Sequence, residues 1–289
     1  MTPTPLQSPA KSPLTDVRQL LTANSKIYAG YVHLRQRDQS MLHEYCNVSD
    51  GTQQLAALLL DAQGHIPPGS APKLFTLQPQ DILSLETGRW VREAGLETFV
   101  GQLIIIVDQV TSGGAPPVYP AITAQWISPR HHSKVATAAF ERVNLPSFQR
   151  KKSFYMYCPM TVSDARRTTV IALFNHSTDP SYADSAEVQM TLHGKAGEEL
   201  AGRPLSVLPF GALIMDVGEH FGTDGAAFFS AHQGYVALSM RHLGHTLPAY
   251  FFHVDRQTLD ILSGQHAQPP IAALTHFGIW WGKLRRFGF

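Results

Sequence analysis

From Ile27 onward the apolar residues come in short runs bounded by Gly, Pro, Asn and Asp, the punctuation of β-structure. Leu55–Leu60, Leu103–Val107, Thr169–Phe174 and Tyr235–Met240 are the clearest predicted strands. Several are rich in the β-branched and aromatic residues that suit a pleated, half-buried surface. The two ends of the chain depart from this pattern. Residues 1–25 open on a Pro-, Ser- and Thr-rich stretch and predict a flexible tail with one short helical turn around Val17 to Leu21. At the other end Leu274, Phe277, Trp281 and Leu284 recur at helical spacing, with Trp280 beside them and Lys283, Arg285 and Arg286 following. Residues 271–289 therefore predict a short amphipathic C-terminal helix, suited to dock on its own sheet, on a partner or on a membrane surface.

The strand pattern is written twice. Tyr28 and Tyr31 on an early strand match Phe154, Tyr155 and Tyr157. Glu44-Tyr45-Cys46-Asn47 matches Ala172-Leu173-Phe174-Asn175, each asparagine leading a polar loop. Glycine turns follow at Asp61-Ala62-Gln63-Gly64 and Lys195-Ala196-Gly197. Phe75-Thr76-Leu77-Gln78-Pro79 then precedes Ile82–Glu86, as Leu205-Ser206-Val207-Leu208-Pro209 precedes Ala212–Asp216. Both halves reach an aromatic-containing turn (Trp90-Val91, His220-Phe221), a Gly-led strand (Gly101, Gly234) and a Pro-led strand (Pro120, Pro248). Asparagine can satisfy local backbone groups in a tight turn, and a proline between strands loses no ladder bond. The expected fold class is all-β: two tandem antiparallel β-sandwich domains from an internal duplication, over 26–145 and 154–270. A linker at 146–153 contains the basic run Arg150-Lys151-Lys152.

On these landmarks one unit resembles the sensory-rhodopsin-transducer-like domains of bacteria, small β-sandwiches. In them an Asn-led turn, a Gly turn and a Leu-x-Val/Leu-Pro step come in the same order. In size and outline the tandem pair is similar to the peptide-binding proteins of crocagin-type peptide-natural-product pathways. That second resemblance implies a precursor peptide as partner and carries no individual residue.

Composition narrows the function classes. Hydrophobic residues are 44% and charged residues 16% of 289, a globular balance. The formal net charge of +1 argues against a general nucleic-acid binder, which needs a basic surface to neutralise phosphates. Two cysteines, Cys46 and Cys158, make no disulfide framework. Met1–Pro13 lacks the apolar core of a signal peptide, and no apolar run approaches the ~20 residues of a membrane span. The expected setting is the reducing cytoplasm. The sequence contains no GxSxG, P-loop, GxGxxG, HExxH or CxxC, which points away from the enzyme classes those motifs mark.

Histidine is the unusual residue, with fourteen copies. His253 and Asp255, two apart on a strand, face the same way. With a third ligand from His266 or His276 they would make the 2-His-1-carboxylate set of a non-haem metal enzyme. His131-His132 and the pair His242 and His245 around Leu243-Gly244 read as polar loop residues. The aromatic strands suggest binding instead: Tyr28, Tyr31, Tyr155, Tyr250 and Phe251 are the candidate anchors for a peptide at the seam between units or on a free sheet edge. The expectation is a non-catalytic peptide- or protein-binding protein with no cofactor, and a homo-oligomer is compatible with it. The rivals are the metal enzyme and a small-ligand or carbohydrate-binding module.

Overall fold

The computed structural model describes residues 16–22, 25–109, 121–138, 153–232, 236–243 and 247–266. Strands dominate. The first set is β1 (Lys26–Leu34), β2 (Ser40–Cys46), β3 (Gln53–Leu60), β4 (Lys73–Leu77), β5 (Ile82–Glu86), β6 (Phe99–Gln109), β7 (Ala121–Ile127) and β8 (His132–Ala138). The second is β9 (Ser153–Cys158), β10 (Arg167–Phe174), β11 (Ala186–His193), β12 (Glu199–Ala201), β13 (Leu205–Val207), β14 (Ala212–Asp216), β15 (Ala237–Leu243), β16 (Ala249–Asp255) and β17 (Ile261–His266). All named pairings are antiparallel. They form four sheets, and the fold is all-β and sandwich-like.

The first set gives the orders β1-β6-β3-β4 and β5-β2-β7-β8. The second gives β9-β15-β11, with β12 and β13 both on β11, and β14-β10-β16-β17. A helix follows the fifth strand of the first set, α1 (Thr87–Glu93), and another follows β14, α2 (Val217–Ala231). Trp90 and His220, expected in turns, therefore sit on helices. α1 has only seven residues, and α2 carries Gly218, Gly222 and Gly225, so neither announces itself by propensity. The C-terminal helix and most of the 146–153 linker lie outside the described residues.

Two asparagines hold matching corners. Asn47 is fully buried, and its Nδ2 donates to the carbonyls of Gly51, Leu77 and Gln78. Its own carbonyl accepts from Gln80 N, and its N–H donates to Asp81 O. Asn175 repeats this with Asp184, Val207 and Leu208, accepting from Phe210 N and donating to Gly211 O. Gln80 and Phe210, each next after a proline, take positive φ of 67° and 59°. A left-handed residue that is not glycine is strained. The asparagine–backbone bonds hold each one in place.

Burial is double-sided. β1, β3 and β6 are almost wholly buried. Tyr28 lies on one face of β1, its ring 5.8 Å from that of Tyr45. Tyr31 lies on the other, 4.6 Å from Phe252 of β16. Along β10 and β16, Ala172, Phe174, Tyr250 and Phe252 join the core of the first set, while Ile171, Leu173, Ala249 and Phe251 join a second core with Met156, Val188 and Leu238. The two sets of strands thus share a core. Polar contacts close the same seam. Gln102 Nε2 donates to Phe210 O and its Oε1 accepts from His176 Nε2; Asp260 accepts from Gln39 and Arg130; Ser133 Oγ donates to Ile261 O between β8 and β17. The turn at Val17–Leu20 packs against this body. Val17 is buried, and Arg18 stacks 4.7 Å from the Phe210 ring centre.

Replacing Asn47 or Asn175 by alanine leaves several buried carbonyls without a donor. Each change is expected to lower stability by at least ~2 kcal/mol in urea unfolding, since one orphaned buried group costs about 1–3 kcal/mol. A neutral result at either would break the correspondence between the two corners.

Burial also sets a pH dependence. Desolvation lowers His33 to about 4 and His43 and His176 to about 3. A group depressed in the folded state leaves stability intact above its unfolded value, near 6.5, and removes it as pH falls toward the folded value. The unfolding free energy from urea titration is expected to fall from pH 6.5 toward pH 4, by about 1.4 kcal/mol per pH unit for each of the three groups. His176→Gln should make that slope shallower by about one third.

Candidate functional site

Four of the five aromatic residues expected at a partner surface lie in the interior. Tyr28, Tyr31, Tyr250 and Phe251 are 7%, 2%, 1% and 1% exposed, and burial raises the phenols of Tyr28, Tyr31 and Tyr250. The physical reason is the shared core. A strand covered on both faces uses large rings for packing whichever way they point. The Tyr31 hydroxyl also donates to His33 Nδ1 at 2.6 Å, and His33 Nε2 donates to Leu259 O. Tyr155 stands on β9, opposite Arg241 of β15, and its side chain lies outside the described residues.

β9 is an edge. It pairs with β15 from Ser153 to Cys158, and among the described residues no strand pairs with its other side. Met156 and Cys158 are buried in the second core, while Tyr157 is half-buried near the ring of His193. Natural edge strands are normally protected by a charge, a proline, a bulge or a cover. β4 has Lys73, β5 Glu86, β8 Lys134, β12 Glu199 and β14 Asp216. β17 has Gly264 and an irregular register with β16, and it lies against β8. β1 has Lys26 and lies at the shared core. β13 is only three residues long. The β9 sequence, Ser-Phe-Tyr-Met-Tyr-Cys, contains no charge, glycine or proline. Pro159, without an N–H, ends it.

Beyond Pro159 the chain forms one wall of a cleft of about 960 Å³, with α2 as the other wall. Val162, Phe229 and Val236 lie along it, the latter two buried, and Met160 is 62% exposed at its mouth. A side chain at Gly218 would run into Ser163 Oγ and Arg256, so glycine sets the closest approach of helix and loop. The helix bends at Gly222, whose φ of 59° and ψ of −140° suit only glycine. The two arginines of the cleft are paired, whereas the carboxylate of Glu219, which also lines it, has no ion pair among the described residues. Arg167 meets Asp164 at 2.9 Å, and Arg256 meets Asp216 at 3.5 Å while donating to Ser163 Oγ and Asp164 O. The N-terminus of α2 is capped by Asp216, which accepts from Glu219 N.

His253 and Asp255 do share a strand face, but each is held by its own neighbours. His253 Nε2 donates to Met160 O, and its Nδ1 accepts from Ser263 Oγ. Asp255 accepts from the N–H groups of Thr258 and Gln257 and from Arg166, and these bonds, Thr258 first, hold its carboxyl below the usual range. The side chain of His266 and the whole of His276 lie outside the described residues. Among the described residues no three His, Cys, Asp or Glu side chains come together as a metal-binding group. His131 and His242 are not both loop residues: His242 is buried on β15, where its Nδ1 accepts from Leu247 N. No helix of the described residues is long and apolar enough to cross a membrane.

No family model matches the chain, and no curated protein matches it. Among solved structures it is similar to Bacteroides uniformis beta-glucuronidase at 11% identity and to a calcium-binding mutant of Bacteroides uniformis beta-glucuronidase 2 at 9% identity, both with a TM-score of 0.21. The match covers 85% of this chain and 26% of each of those. A glycosyl hydrolase family 2 member from Bacteroides cellulosilyticus shows 8% identity and a TM-score of 0.19, covering 85% of this chain and 28% of its own. The chain spans about a quarter of the length of these proteins, and a likeness this slight bears on neither fold nor function.

Proposed function

We propose that this chain is a non-catalytic peptide- or protein-binding protein, built from two tandem copies of one β-sandwich unit, that takes an extended segment of its partner onto the edge of β9. The observation that carries the reading is the charge-free strand Ser153–Cys158, which among the described residues is paired on one side only. An extended segment laid against such an edge gains a ladder of backbone hydrogen bonds, and side chains alternating along it supply specificity. Tyr157 is the described aromatic side chain on that edge, in place of the anchors that lie in the core. The tandem origin is supported by the matched strand orders and by the two asparagine corners. A precursor peptide in a biosynthetic pathway is one such partner.

A random-peptide display selection on the purified full chain is expected to enrich binders. Hydrogen exchange of the complex should then slow the amides of Ser153–Cys158 and leave β4, β5 and β14 unchanged. Tyr155→Lys combined with Tyr157→Lys places cations on the edge and should weaken binding by at least about tenfold, near 1.4 kcal/mol, with little change in Tm. A selection that enriches nothing, or protection confined to another strand, removes the reading. A concentration-dependent dimer with β9 protected in the absence of peptide would assign the edge to a second copy of this chain instead.

A further inference from the structure

Resting on that reading, the structure points to what the bound segment must carry. We infer that the cleft between residues 159–167 and α2 is the specificity pocket of the β9 edge, and that it takes bulky uncharged apolar side chains at the end of the segment lying beside Cys158.

Three observations lead there. The first is continuity. Cys158 closes the β9–β15 ladder opposite Leu238, Pro159 breaks it, and Thr161 N donates to Val236 O, so the chain that leaves the edge becomes the wall of the cleft. A strand added to β9 is therefore delivered to the cleft mouth at Met160. The second is charge. Arg167 and Arg256 are neutralised by Asp164 and Asp216, and the amide end of α2 is occupied by the Asp216 carboxylate. An acidic group entering the cleft would find its cations already paired and would meet the Glu219 carboxylate, which also lines it. Desolvating an acidic group there without a partner is costly. The third is the surface on offer. Val162, Phe229 and Val236 give it an apolar side, and Met160, unbranched and polarisable, stands exposed at the mouth, where it can adapt to more than one guest. A volume of about 960 Å³ is at the upper end of the ~300–1,000 Å³ range of ligand sites, so it takes more than one side chain of an extended segment.

In the first set of strands the corresponding connections are shorter. Between β1 and β2 lie only Arg35–Gln39, against the eight residues 159–166 between β9 and β10, and α1 has seven residues against fifteen in α2. The added length of both walls falls in the half that holds the β9 edge.

The test uses a display library of random octapeptides selected on the full chain, then a labelled enriched peptide titrated by fluorescence anisotropy. The enriched set is expected to share Leu, Ile, Met or Phe at one end. Met160→Asp is chosen because its side chain is exposed and should not disturb folding. It should weaken the labelled peptide by at least about tenfold with Tm unchanged, while hydrogen exchange at saturating peptide still shows β9 protected. Phe229→Leu, which keeps the core filled, should shift the preferred side chain on reselection. Enriched peptides without a shared apolar position, or a Met160→Asp affinity within about twofold of the parent, overturn the pocket and leave strand addition standing if β9 stays protected. A selection that enriches no peptide removes both.

Discussion

The constraint on which the rest of this structure depends is that its two inner sheets have no solvent face. β1, β3 and β6 are covered on one side by the sheet of β2 and on the other by β10 and β16, which are in turn covered by β11 and β15. A sandwich of two sheets needs one apolar face per sheet. Here the inner pair needs two, and the chain supplies them as unbroken apolar runs, Leu55–Leu60 and Leu103–Val107 in one set, Val170–Phe174 and Tyr250–Phe252 in the other. The two sets of strands therefore stabilise one another.

The polar pairing that this apolar seam contains is specific, although Trp126 Nε1, buried beside Phe252, has no hydrogen-bond partner among the described residues. Gln102 sits at zero exposure because it bridges Asp61 O, Phe210 O and His176. Leu259 holds a positive φ of 54° at the β16–β17 turn, with its carbonyl taken by His33 and Gln39 of the first set. These bonds fix the register of one half on the other where ring packing alone would allow sliding. They also show how a buried histidine can serve: the neutral imidazole of His33 offers one donor and one acceptor and links the Tyr31 hydroxyl to the Leu259 carbonyl.

The sequence made the β-class, the strand order of landmarks and the asparagine–proline steps legible, because each is a local rule. An Asn-led turn and a proline before a left-handed residue look the same in any tertiary setting. What it could not convey was which apolar strands face another sheet on both sides. Tyr28, Tyr31, Tyr250 and Phe251 read equally well as anchors or as packing, since alternation tells only that neighbours point opposite ways. The helices were hidden for local reasons, α1 by its length and α2 by its glycines. His253 and Asp255 were correctly placed on one face, but the groups that engage them come from Met160, Ser263 and the turn after the strand, contacts that no spacing rule predicts.

The same constraint separates two strands that hold equivalent places in their sheets. Among the described residues β1 and β9 each pair on one side only, with β6 and β15. β1 lies at the seam, where Tyr31 packs on Phe252, Trp126 reaches the same ring at 5.3 Å, and β8 meets β17. Its sequence accordingly mixes Lys26, Gly30 and His33 into the strand. β9 lies at the far sheet, the one outer sheet of the second set, where no second sandwich among the described residues covers it. An uncharged strand there would be an aggregation hazard if left bare. The proposed partner segment resolves that hazard, because what the seam does for β1 an added strand does for β9. Among the described residues β9 is the one edge of this kind, so the proposed mode places one extended segment on each chain.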